Sequence, residues 1–403
     1  QIHGYFSQIH THNNRGYYFL DEIPLTFLFG TLLILIIFSA FFSSSETAMI
    51  ALNRYRLRHH AKEGEKSAII SERLLKRPDR LIEVVNWIST SLPTKFKITI
   101  VNAKIENSYN FSAFPEVILI QSFAPFFDQL VNSYEVYPEM RDNTDVSIVN
   151  IPKSKMEGFG NIAKAVKFTD HFVIVNGGKT EGIDSYLKKI SELVDILYIV
   201  TKGHGKAFCF DPKKIKNESV DEWGESSKVR KNDVGFFSAE GTFSPRVVDI
   251  GSKELANFFS GKLYGCVADL GAGWGWLSFE ALKQNIDKID LYEAYYTSLQ
   301  CAKLNINDNR ANYFWMDVMK IEKNLSYDSV IMNPPFHIGH KSDPNLGINF
   351  IRKAAEILNR GGKLFMVANR KLPYENELNK LFDNIEIHQG YSGFKIIKAT
   401  KPI

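Results

Sequence analysis

Short apolar runs alternate with amphipathic stretches from about residue 94 to the end of the chain. Runs such as VILIQSF, HFVIVNGG and LYIVTKG are typical of buried strands, whereas SYLKKISELVDIL repeats its apolar residues at helical spacing. Strands that alternate with helices predict a parallel sheet covered by helices. We therefore predict an α/β fold for this part of the chain.

An internal repeat divides the α/β region into two units. Residues 172–195 and 364–386 both read as a strand, an asparagine, a basic loop and a helix. Between them, residues 217–249 are rich in Ser, Lys, Glu and Asp and carry few apolar runs, so they read as a linker. We predict two tandem domains, at residues 94–232 and 233–403.

The first 93 residues follow a different pattern. Residues 23–42 form an uncharged apolar run of about 20 residues, the length that spans a bilayer. Asp21 and Glu22 precede the run, where a signal peptide has basic residues. Basic side chains follow it, at Arg54, Arg56, Arg58, Lys62 and Lys66. We predict a single transmembrane helix and a juxtamembrane helix after it; a buried core helix is the alternative reading of the run.

Composition and charge narrow the classes of protein. A chain of 403 residues is long enough for two or three domains, and 44% hydrophobic with 23% charged residues excludes global disorder. The net charge of +4 is too small to indicate a nucleic-acid partner by itself. Cys209, Cys266 and Cys301 lie far apart, which opposes a disulfide framework or a zinc knuckle. A reducing, cytoplasmic compartment fits this cysteine usage.

The strongest local pattern for a cofactor is CVADLGAGWGWLSFEALKQ. An apolar run ends at Asp269, Gly271, Gly273 and Gly275 follow, and an amphipathic helix begins near Trp276. Glycines let the backbone turn sharply and approach a ligand closely. A loop of this kind binds dinucleotides or S-adenosylmethionine, and it also occurs as a plain structural turn.

Two further carboxylates strengthen the cofactor hypothesis. Glu293 ends a second apolar run about 20 residues after the loop, where a carboxylate can accept hydrogen bonds from both ribose hydroxyls. Asp317 follows a third run and is suited to contact an adenine amine. Each residue alone reads as a surface charge or a helix cap. In this order after Asp269, they predict a nucleoside site.

The most specific pattern is Asn333-Pro334-Pro335-Phe336, directly after a fourth apolar run. Two prolines fix the backbone and stop a strand, so a rigid turn is one reading. In the catalytic reading, the side-chain oxygen of Asn333 and the carbonyl of Pro334 accept the two hydrogens of an exocyclic amine, and Phe336 stacks on the base. An amine held in line with a sulfonium methyl attacks by displacement, without a metal.

These motifs make the C-terminal part resemble class I S-adenosylmethionine-dependent methyltransferases, specifically the ribosomal RNA small subunit methyltransferase C family. The likeness extends over about three quarters of the chain and includes residues 235–259, 358–378 and 393–399. It implies two tandem Rossmann-like domains, S-adenosylmethionine as cofactor, and methylation of the 2-amino group of a guanine in 16S rRNA. It also implies a degenerate first domain. Residues 176–183, NGGKTEGI, lack the GxGxG form, so we expect no cofactor there.

A second resemblance concerns residues 42–82. They are similar to the first membrane segment and juxtamembrane helix of the hemolysin C/CorC and cyclin M class of magnesium-transport-associated proteins. That family has further hydrophobic spans, and none recurs in the sequence after residue 82, which opposes a transport function. The chain begins at Gln1 without an initiator methionine; a fragment, a natural fusion and an artefactual join of two reading frames all stay open.

An RNA partner is expected from basic residues around the proposed linker, which can track phosphates or form a solvated loop. They are Lys202, Lys206, Lys213, Lys214, Lys216, Lys228, Arg230 and Lys231. A guanine amine is accessible only in an unpaired or flipped base. His337 and His340, beside the motif, read as loop residues rather than substrate contacts. We expect a monomer that acts on 16S rRNA or the small ribosomal subunit in the cytoplasm, anchored to the inner membrane through residues 23–42.

Other functions stay open at this point. Related NPP-type tetrapeptides serve methylation of adenine in nucleic acid or of the glutamine side chain of release factors, although Tyr is more usual than Phe at the last position. A membrane transport-associated protein of the CorC type would need more spans. A non-catalytic RNA-binding protein is disfavoured by the intact Asn333 and glycine loop.

Overall fold

The computed structural model describes residues 29–32, 34–38, 80–92, 96–104, 116–335, 337–338, 341–342, 344–390 and 393–402. The chain divides into two compact units, Gln1–Pro78 and Asp79–Ile403. The second unit contains both predicted α/β domains.

In the first unit, the structure describes only part of the run that is predicted to cross a membrane. Residues 29–32 and 34–38 are helical, and their apolar side chains, Phe29 and Leu35 among them, are largely exposed. No helix among the described residues is both long and apolar enough to cross a membrane. The transmembrane helix is therefore not confirmed. The remainder of residues 23–42, and residues 43–79 after them, lie outside the described part of the chain.

The first domain of the second unit alternates strands with helices. Its helices are α1 (Arg80–Ser89), α2 (Ala124–Leu130), α3 (Lys155–Phe168), α4 (Ile183–Ser191) and α5 (Asn217–Ser227). Its strands are β1 (Lys97–Val101), β2 (Glu116–Ile120), β3 (Glu135–Tyr137), β4 (Thr144–Asn150), β5 (Thr169–Gly178), β6 (Tyr198–Lys202) and β7 (Gly205–Phe210). A short hairpin of β8 (Arg230–Lys231) and β9 (Phe237–Ser238) follows.

The second domain repeats this arrangement. Its helices are α6 (Ile250–Phe259), α7 (Trp276–Leu282), α8 (Tyr296–Asn305), α9 (Pro344–Ile357) and α10 (Glu375–Leu381). The strands of its main sheet are β10 (Cys266–Leu270), β11 (Lys288–Glu293), β12 (Ala311–Trp315), β13 (Tyr327–Met332), β16 (Leu358–Asn369), β17 (Phe382–Gln389) and β18 (Phe394–Pro402). Two-residue strands β14 (His337–Ile338) and β15 (Lys341–Ser342) pair with each other beside it.

The two main sheets have the same strand order. It is β3-β2-β1-β4-β5-β7-β6 in the first domain and β12-β11-β10-β13-β16-β18-β17 in the second. In each sheet the first five strands are parallel, and β7 or β18 runs antiparallel to both of its neighbours. This confirms the predicted α/β fold with two Rossmann-like sheets.

The central strands of the second sheet are buried on both faces. Along β13, Val330 and Met332 pack into the core on one face, and Ile331 packs into the core on the other. On β16, Leu364 and Phe365 alternate in the same way. Such continuous apolar runs are typical of parallel strands that helices cover on both sides. Polar side chains of these strands are therefore concentrated at the strand ends.

Two segments join the first domain although the sequence analysis assigns them elsewhere. Helix α1 lies inside the predicted juxtamembrane region, yet Leu81, Val85 and Ile88 are buried in the core of the first sheet. Helix α5 lies inside the predicted linker, yet Val220 and Trp223 are buried against α3. Helix α1 is amphipathic and buries its apolar face, whereas α5 is rich in polar residues and packs through Val220 and Trp223.

The two domains are hydrogen-bonded to each other through the loops after β2 and β11. The backbone N–H of Ala124 donates to the carbonyl of Ala294, and the N–H of Tyr296 donates to the carbonyl of Ser122, each at 2.8 Å. These loops are equivalent in the two domains. The contact therefore lies directly beside the strand end that carries Glu293.

Candidate active site

Four residues predicted to form the site lie at the carboxyl ends of four neighbouring parallel strands. Asp269 is the penultimate residue of β10, Glu293 ends β11, Asp317 follows β12, and Asn333 follows β13. The strands are neighbours in the order β12-β11-β10-β13, so the direction of chain progression reverses between β10 and β13. Such a reversal opens the crevice in which α/β proteins bind ligands. The structure thus brings all four residues to one edge of the sheet.

The glycine loop turns sharply between β10 and α7. Gly271, Gly273 and Gly275 have φ angles of +77°, +57° and +87°, a region that side chains rarely adopt. A Cβ on Gly275 would lie 2.9 Å from the Cβ of Ala302, whereas a Cβ on Gly273 would meet open space. Gly275 therefore permits close packing against α8, and Gly273 leaves room beside the loop.

Glu293 ties the glycine loop to the end of β11. Its Oε2 accepts the backbone N–H of Gly273 at 2.8 Å, and its Oε1 accepts that of Tyr295 at 2.7 Å. Burial raises the pKa of Glu293, and the hydrogen bonds from the backbone oppose that shift. A carboxylate has about four acceptor positions, so further hydrogen-bond capacity remains toward a ligand.

Asp269 is fully buried and only half satisfied. Its Oδ2 accepts a hydrogen bond of 2.6 Å from Ser278 Oγ, and its buried Oδ1 has no hydrogen-bond partner within the described part of the chain. Burial raises the pKa of Asp269 to about 7; the bond from Ser278 opposes this shift, and the charge of Glu293 adds to it. A buried carboxylate oxygen without a donor suits a ligand that brings N–H groups or positive charge.

Asp317 begins a short turn directly after β12. Its Oδ1 accepts the backbone N–H of Met319 at 2.9 Å. The neighbouring residue Met316 donates its N–H to the carbonyl of Glu293 at 3.1 Å. This backbone bond holds the start of the turn beside the end of β11, so Asp317 and Glu293 lie on adjoining segments.

Asn333 is held by the segment that precedes β10. Its Nδ2 donates hydrogen bonds to Asp249 Oδ2 at 3.1 Å and to Ser252 Oγ at 2.9 Å, which uses both amide hydrogens. None of the described residues donates a hydrogen bond to Asn333 Oδ1. Pro334 is buried and Pro335 is exposed.

The remaining residues around the motif are less completely described. Phe336 and His340 lie outside the described residues, so stacking by Phe336 stays a prediction. His337 lies in β14, which pairs antiparallel with β15.

A segment before α6 connects the glycine loop with Asn333. The indole N–H of Trp274 donates to the carbonyl of Phe243 at 2.9 Å, and Asp249 at the other end contacts Asn333. Trp274, a bulky residue for this loop, is itself buried. The segment exposes the large apolar side chains of Phe243 (59%) and Val247 (49%), and Ile250 (52%), the first residue of α6, is exposed beside them.

The first domain permits a residue-by-residue comparison. Asp145 on β4 accepts the N–H of Lys97, and Asp328 on β13 accepts the N–H of Cys266 in the same way. These two bonds align the equivalent strands of the two domains. The alignment then shows which residue of the first domain stands at the position of each candidate site residue. Ile100 corresponds to Asp269, Asn102 to Gly271, Lys104 to Gly273, Gln121 to Glu293, and Asn150 to Asn333.

The comparison corrects one argument from the sequence. Residues 176–183 do not correspond to the glycine loop, because Asn176 belongs to β5 and pairs with β4. The equivalent loop follows β1 and reads Asn102-Ala103-Lys104. The repeat of residues 172–195 with 364–386 already indicated this alignment, since residues 364–386 follow the NPPF motif rather than precede it.

Sequence analysis missed the residues that hold the candidate catalytic groups. These are Asp249, Ser252 and Ser278, which bond Asn333 or Asp269. An Asp three residues before a Ser at the start of an apolar helix is a recognisable N-cap pattern. That pattern predicts the start of a helix, but it does not indicate that Asp249 contacts Asn333, which is 84 residues away in the sequence.

Most of the basic residues predicted to contact RNA form ion pairs. Their partners are Glu83 for Lys202 (4.0 Å), Asp184 for Lys206 (2.6 Å), Asp211 for Lys214 (3.9 Å), Glu225 for Lys228, and Glu240 for Arg230 (3.8 Å). Exposed pairs of this kind are weak and exchange readily. These ion pairs neither support nor exclude contacts with RNA, so the RNA contacts of the basic residues stay a prediction.

Comparison with known families gives two matches. The methyltransferase small domain family matches residues 233–398, and the cyclin M transmembrane N-terminal domain family matches residues 30–94. The second match overlaps α1, which packs in the first α/β domain.

Several similar proteins are called ribosomal RNA small subunit methyltransferase C. The protein of Photorhabdus laumondii is 32% identical over 64% of this chain and 77% of its own length. That of Psychromonas ingrahamii is 29% identical over 63% and 75%, and that of Shewanella piezotolerans is 26% identical over 80% and 95%.

One solved structure shares the fold over most of the chain. It is a T. thermophilus 16S rRNA N2 G1207 methyltransferase in complex with S-adenosylmethionine and guanosine. The TM-score is 0.62 at 18% identity, over 81% of this chain and 92% of that one. At this identity the likeness shows the common fold.

Proposed function

The chain belongs to the ribosomal RNA small subunit methyltransferase C family, and on this premise we propose that it methylates the exocyclic 2-amino group of a guanine in 16S rRNA. S-adenosylmethionine is the methyl donor. The observation that carries the proposal is the amide of Asn333, whose nitrogen is bound within the protein and whose oxygen is left to accept a substrate hydrogen.

The residues at the strand ends fit the cofactor. Asp269 Oδ1 is a buried acceptor without a described partner, and S-adenosylmethionine carries an ammonium group and a sulfonium. Glu293 retains acceptor capacity for ribose hydroxyls, and Asp317, in the turn after the neighbouring strand β12, serves the adenine amine. Gly273 leaves open space beside the loop. When bound, the cofactor supplies a methyl group on a positively charged sulfur.

Asn333 and Pro334 prepare the amine for attack. An exocyclic guanine amine is a poor nucleophile because its lone pair is conjugated with the ring. Asn333 Oδ1 and the carbonyl of Pro334 accept its two hydrogens and draw the lone pair out of conjugation. As the nitrogen bonds to the methyl carbon and the sulfur–carbon bond breaks, the nitrogen gains positive charge, which the same two oxygens stabilise. The methylated nitrogen then releases one proton to solvent, and the sulfur leaves as a neutral thioether. Positioning supplies most of the rate.

The segment from Phe243 to Asp249 provides a surface for the nucleotides around the target base. It is anchored to the glycine loop at one end and to Asn333 at the other. Its exposed Phe243 offers a ring on which a base can stack, and Arg246 beside it is well exposed and positively charged. Phe336 is proposed to stack on the target guanine itself.

The N-terminal residues support a separate, membrane-related proposal. The uncharged run at residues 23–42 and the match to a cyclin M transmembrane domain favour anchoring of the chain to a membrane. Flotation of the full chain with lipid vesicles tests this proposal, and a Leu35→Asp variant is expected to remain in the unbound fraction. Equal flotation of the two proteins would contradict it.

A substrate panel tests the proposed reaction. The full chain is incubated with methyl-labelled S-adenosylmethionine and 16S rRNA, isolated small subunits, double-stranded DNA, or release factor. Label is expected in 16S rRNA or in the small subunit. Label in DNA or in release factor, with none in RNA, would overturn the proposed substrate.

A further inference from the structure

We propose that Asp249 and Ser252 are positioning residues that fix the orientation of the Asn333 amide. They hold its nitrogen within the protein, so that its oxygen faces the substrate amine. The effect that we infer on catalysis depends on the proposed function. The orientation of the amide does not, because it is argued from the contacts of Asp249, Ser252 and Asn333 alone.

The chemistry of Asp249 determines which way the amide points. A carboxylate only accepts hydrogen bonds, so Asp249 Oδ2 at 3.1 Å requires the amide nitrogen of Asn333 on its side. A flipped amide would place its oxygen against the carboxylate oxygen of Asp249 and lose that hydrogen bond, whereas the hydroxyl of Ser252 can pair with either orientation. Ser252 Oγ at 2.9 Å receives the second amide hydrogen. One orientation is therefore strongly favoured.

The local structure holds Asp249 in place. Asp249 is the N-cap of α6, and its Oδ2 also accepts the backbone N–H of Ser252 at 2.9 Å. A Cβ on Gly251 would lie 3.1 Å from this carboxylate oxygen and 3.0 Å from the ring of Phe394. The absence of a side chain at Gly251 thus leaves room for the carboxylate. Leu255 and other apolar residues of α6 bury the helix against the sheet.

The equivalent asparagine of the first domain shows the opposite arrangement. Asn150 Oδ1 accepts a 2.7 Å hydrogen bond from Asn176 Nδ2, so the amide oxygen is bound within the protein. Its Nδ2 donates to the carbonyls of Val101 and Asn102, at 3.3 and 3.4 Å. The same residue on the same strand end is therefore bound through its oxygen in the degenerate domain. In the second domain, by contrast, Asp249 and Ser252 bind the nitrogen, and no described residue donates to the oxygen.

The negative charge of Asp249 also strengthens the acceptor. A carboxylate at the amide nitrogen polarises the amide and increases electron density on its oxygen. Oδ1 of Asn333 then binds an amine hydrogen more strongly, most of all when the amine nitrogen becomes positive. The effect is greatest in the transition state, so it is expected in kcat rather than in KM.

An Asp249→Ser variant separates this role from helix capping. Serine is a good N-cap, but its shorter side chain cannot reach Asn333. We expect kcat for RNA methylation to fall by roughly 10²-fold, with KM for S-adenosylmethionine and for RNA within about twofold and Tm close to that of the wild type. Asp249→Asn keeps the acceptor shape without the charge and restores part of kcat. Ser154→Ala, which removes the N-cap of α3, is the matched control and leaves kcat unchanged.

A double variant and a spectroscopic measurement complete the test. In an Asn333→Ala background, Asp249→Ser is expected to cause no further loss of kcat; a further loss of the same factor would overturn the inference.

Nuclear magnetic resonance observes the orientation directly. The signals of the Asn333 side-chain amide hydrogens, identified by their loss in Asn333→Ala, are expected to change in Asp249→Ser. If the wild type methylates no RNA, the proposed function is wrong. The amide signal still tests the positioning role of Asp249 in that case, because an unchanged signal in Asp249→Ser would overturn the inference. Wild-type kcat in Asp249→Ser also overturns it.

Discussion

Glu293 and Gln121 occupy equivalent positions at the carboxyl ends of β11 and β2, yet they bond their loops with opposite polarity. Glu293 Oε2 accepts the N–H of Gly273 at 2.8 Å, whereas Gln121 Nε2 donates to the carbonyl of Ala103 at 2.6 Å. A carboxylate keeps acceptor positions for a ligand, while the amide nitrogen of Gln121 is committed to its own loop. One scaffold therefore leaves acceptor capacity at this strand end in the second domain and binds the equivalent side chain to its own loop in the first.

A Glu293→Gln variant is expected to bind S-adenosylmethionine roughly 10- to 100-fold more weakly, because a hydrogen bond to a charged group contributes about 1.5–3 kcal/mol. The neutral amide also places a donor against the N–H of Gly273 or against that of Tyr295. Isothermal titration calorimetry measures the Kd. Glu322→Gln, an exposed position, is the control and keeps the wild-type Kd. Equal affinity of the two variants would remove Glu293 from the cofactor site.

Binding of S-adenosylmethionine is expected to weaken as the pH falls below 7. Burial raises the pKa of Asp269 to about 7, so the carboxyl takes up a proton as the pH falls through that value. The protonated form no longer attracts a cationic ligand. The Kd should therefore be lowest near pH 8 and about 10-fold higher at pH 6.

An Asp269→Asn variant checks the assignment of this pH dependence. It should bind weakly at all pH values and show a flat profile between pH 6 and pH 8. A wild-type Kd that does not change over this range would show that Asp269 does not pair with the ligand's positive charge.

Helix α1 should stabilise the first domain from within its core. Ile88 is fully buried against the sheet, so Ile88→Ala is expected to cost about 2–5 kcal/mol of unfolding free energy. Asn86→Ala, on the exposed face of the same helix, should cost little. Denaturant unfolding of the full chain measures both values. Equal stability of the two variants would place α1 outside the domain.

Phe243 should contribute to RNA binding more than to chemistry. Stacking of a base on an aromatic ring contributes about 1–3 kcal/mol, so Phe243→Ala is expected to raise KM for RNA by roughly 5- to 100-fold. The Kd for S-adenosylmethionine should not change, because the hydrogen bond that joins Phe243 to Trp274 of the glycine loop uses the backbone carbonyl of Phe243, which the variant keeps. Leu304→Ala, at a similarly exposed apolar position on α8, serves as control. An unchanged KM in Phe243→Ala would exclude this surface from RNA recognition.

The strand ends were predictable because the chemistry lies in short contiguous motifs. Asp269, Glu293, Asp317 and Asn333 each follow an apolar run, and the carboxyl ends of parallel strands meet at one edge of a sheet. The order of the motifs along the chain therefore predicts their assembly in space. The two-domain α/β architecture was predictable in the same way, from the alternation of strands and helices.

The supporting residues were not predictable from local patterns. The contact of Asp249 with Asn333 joins positions 84 residues apart, and nothing in either motif specifies the other. Helix α5 was hidden by its polar composition, because Val220 and Trp223 alone carry its packing in the core. The sequence analysis compared residues 176–183 with the glycine loop, but Asn176 lies in β5 and pairs with β4, so these residues are not the counterpart of that loop.

The most direct test of the account measures N2-methylguanosine in 16S rRNA. The full-length wild type and Asn333→Ala are each incubated with S-adenosylmethionine and RNA, and the nucleosides of the digested RNA are quantified by mass spectrometry. The account predicts N2-methylguanosine with the wild type and a rate at least about 10²-fold lower with the variant, whose Kd for the cofactor is unchanged. Equal rates for the two proteins, or a methylated product other than N2-methylguanosine, would contradict it.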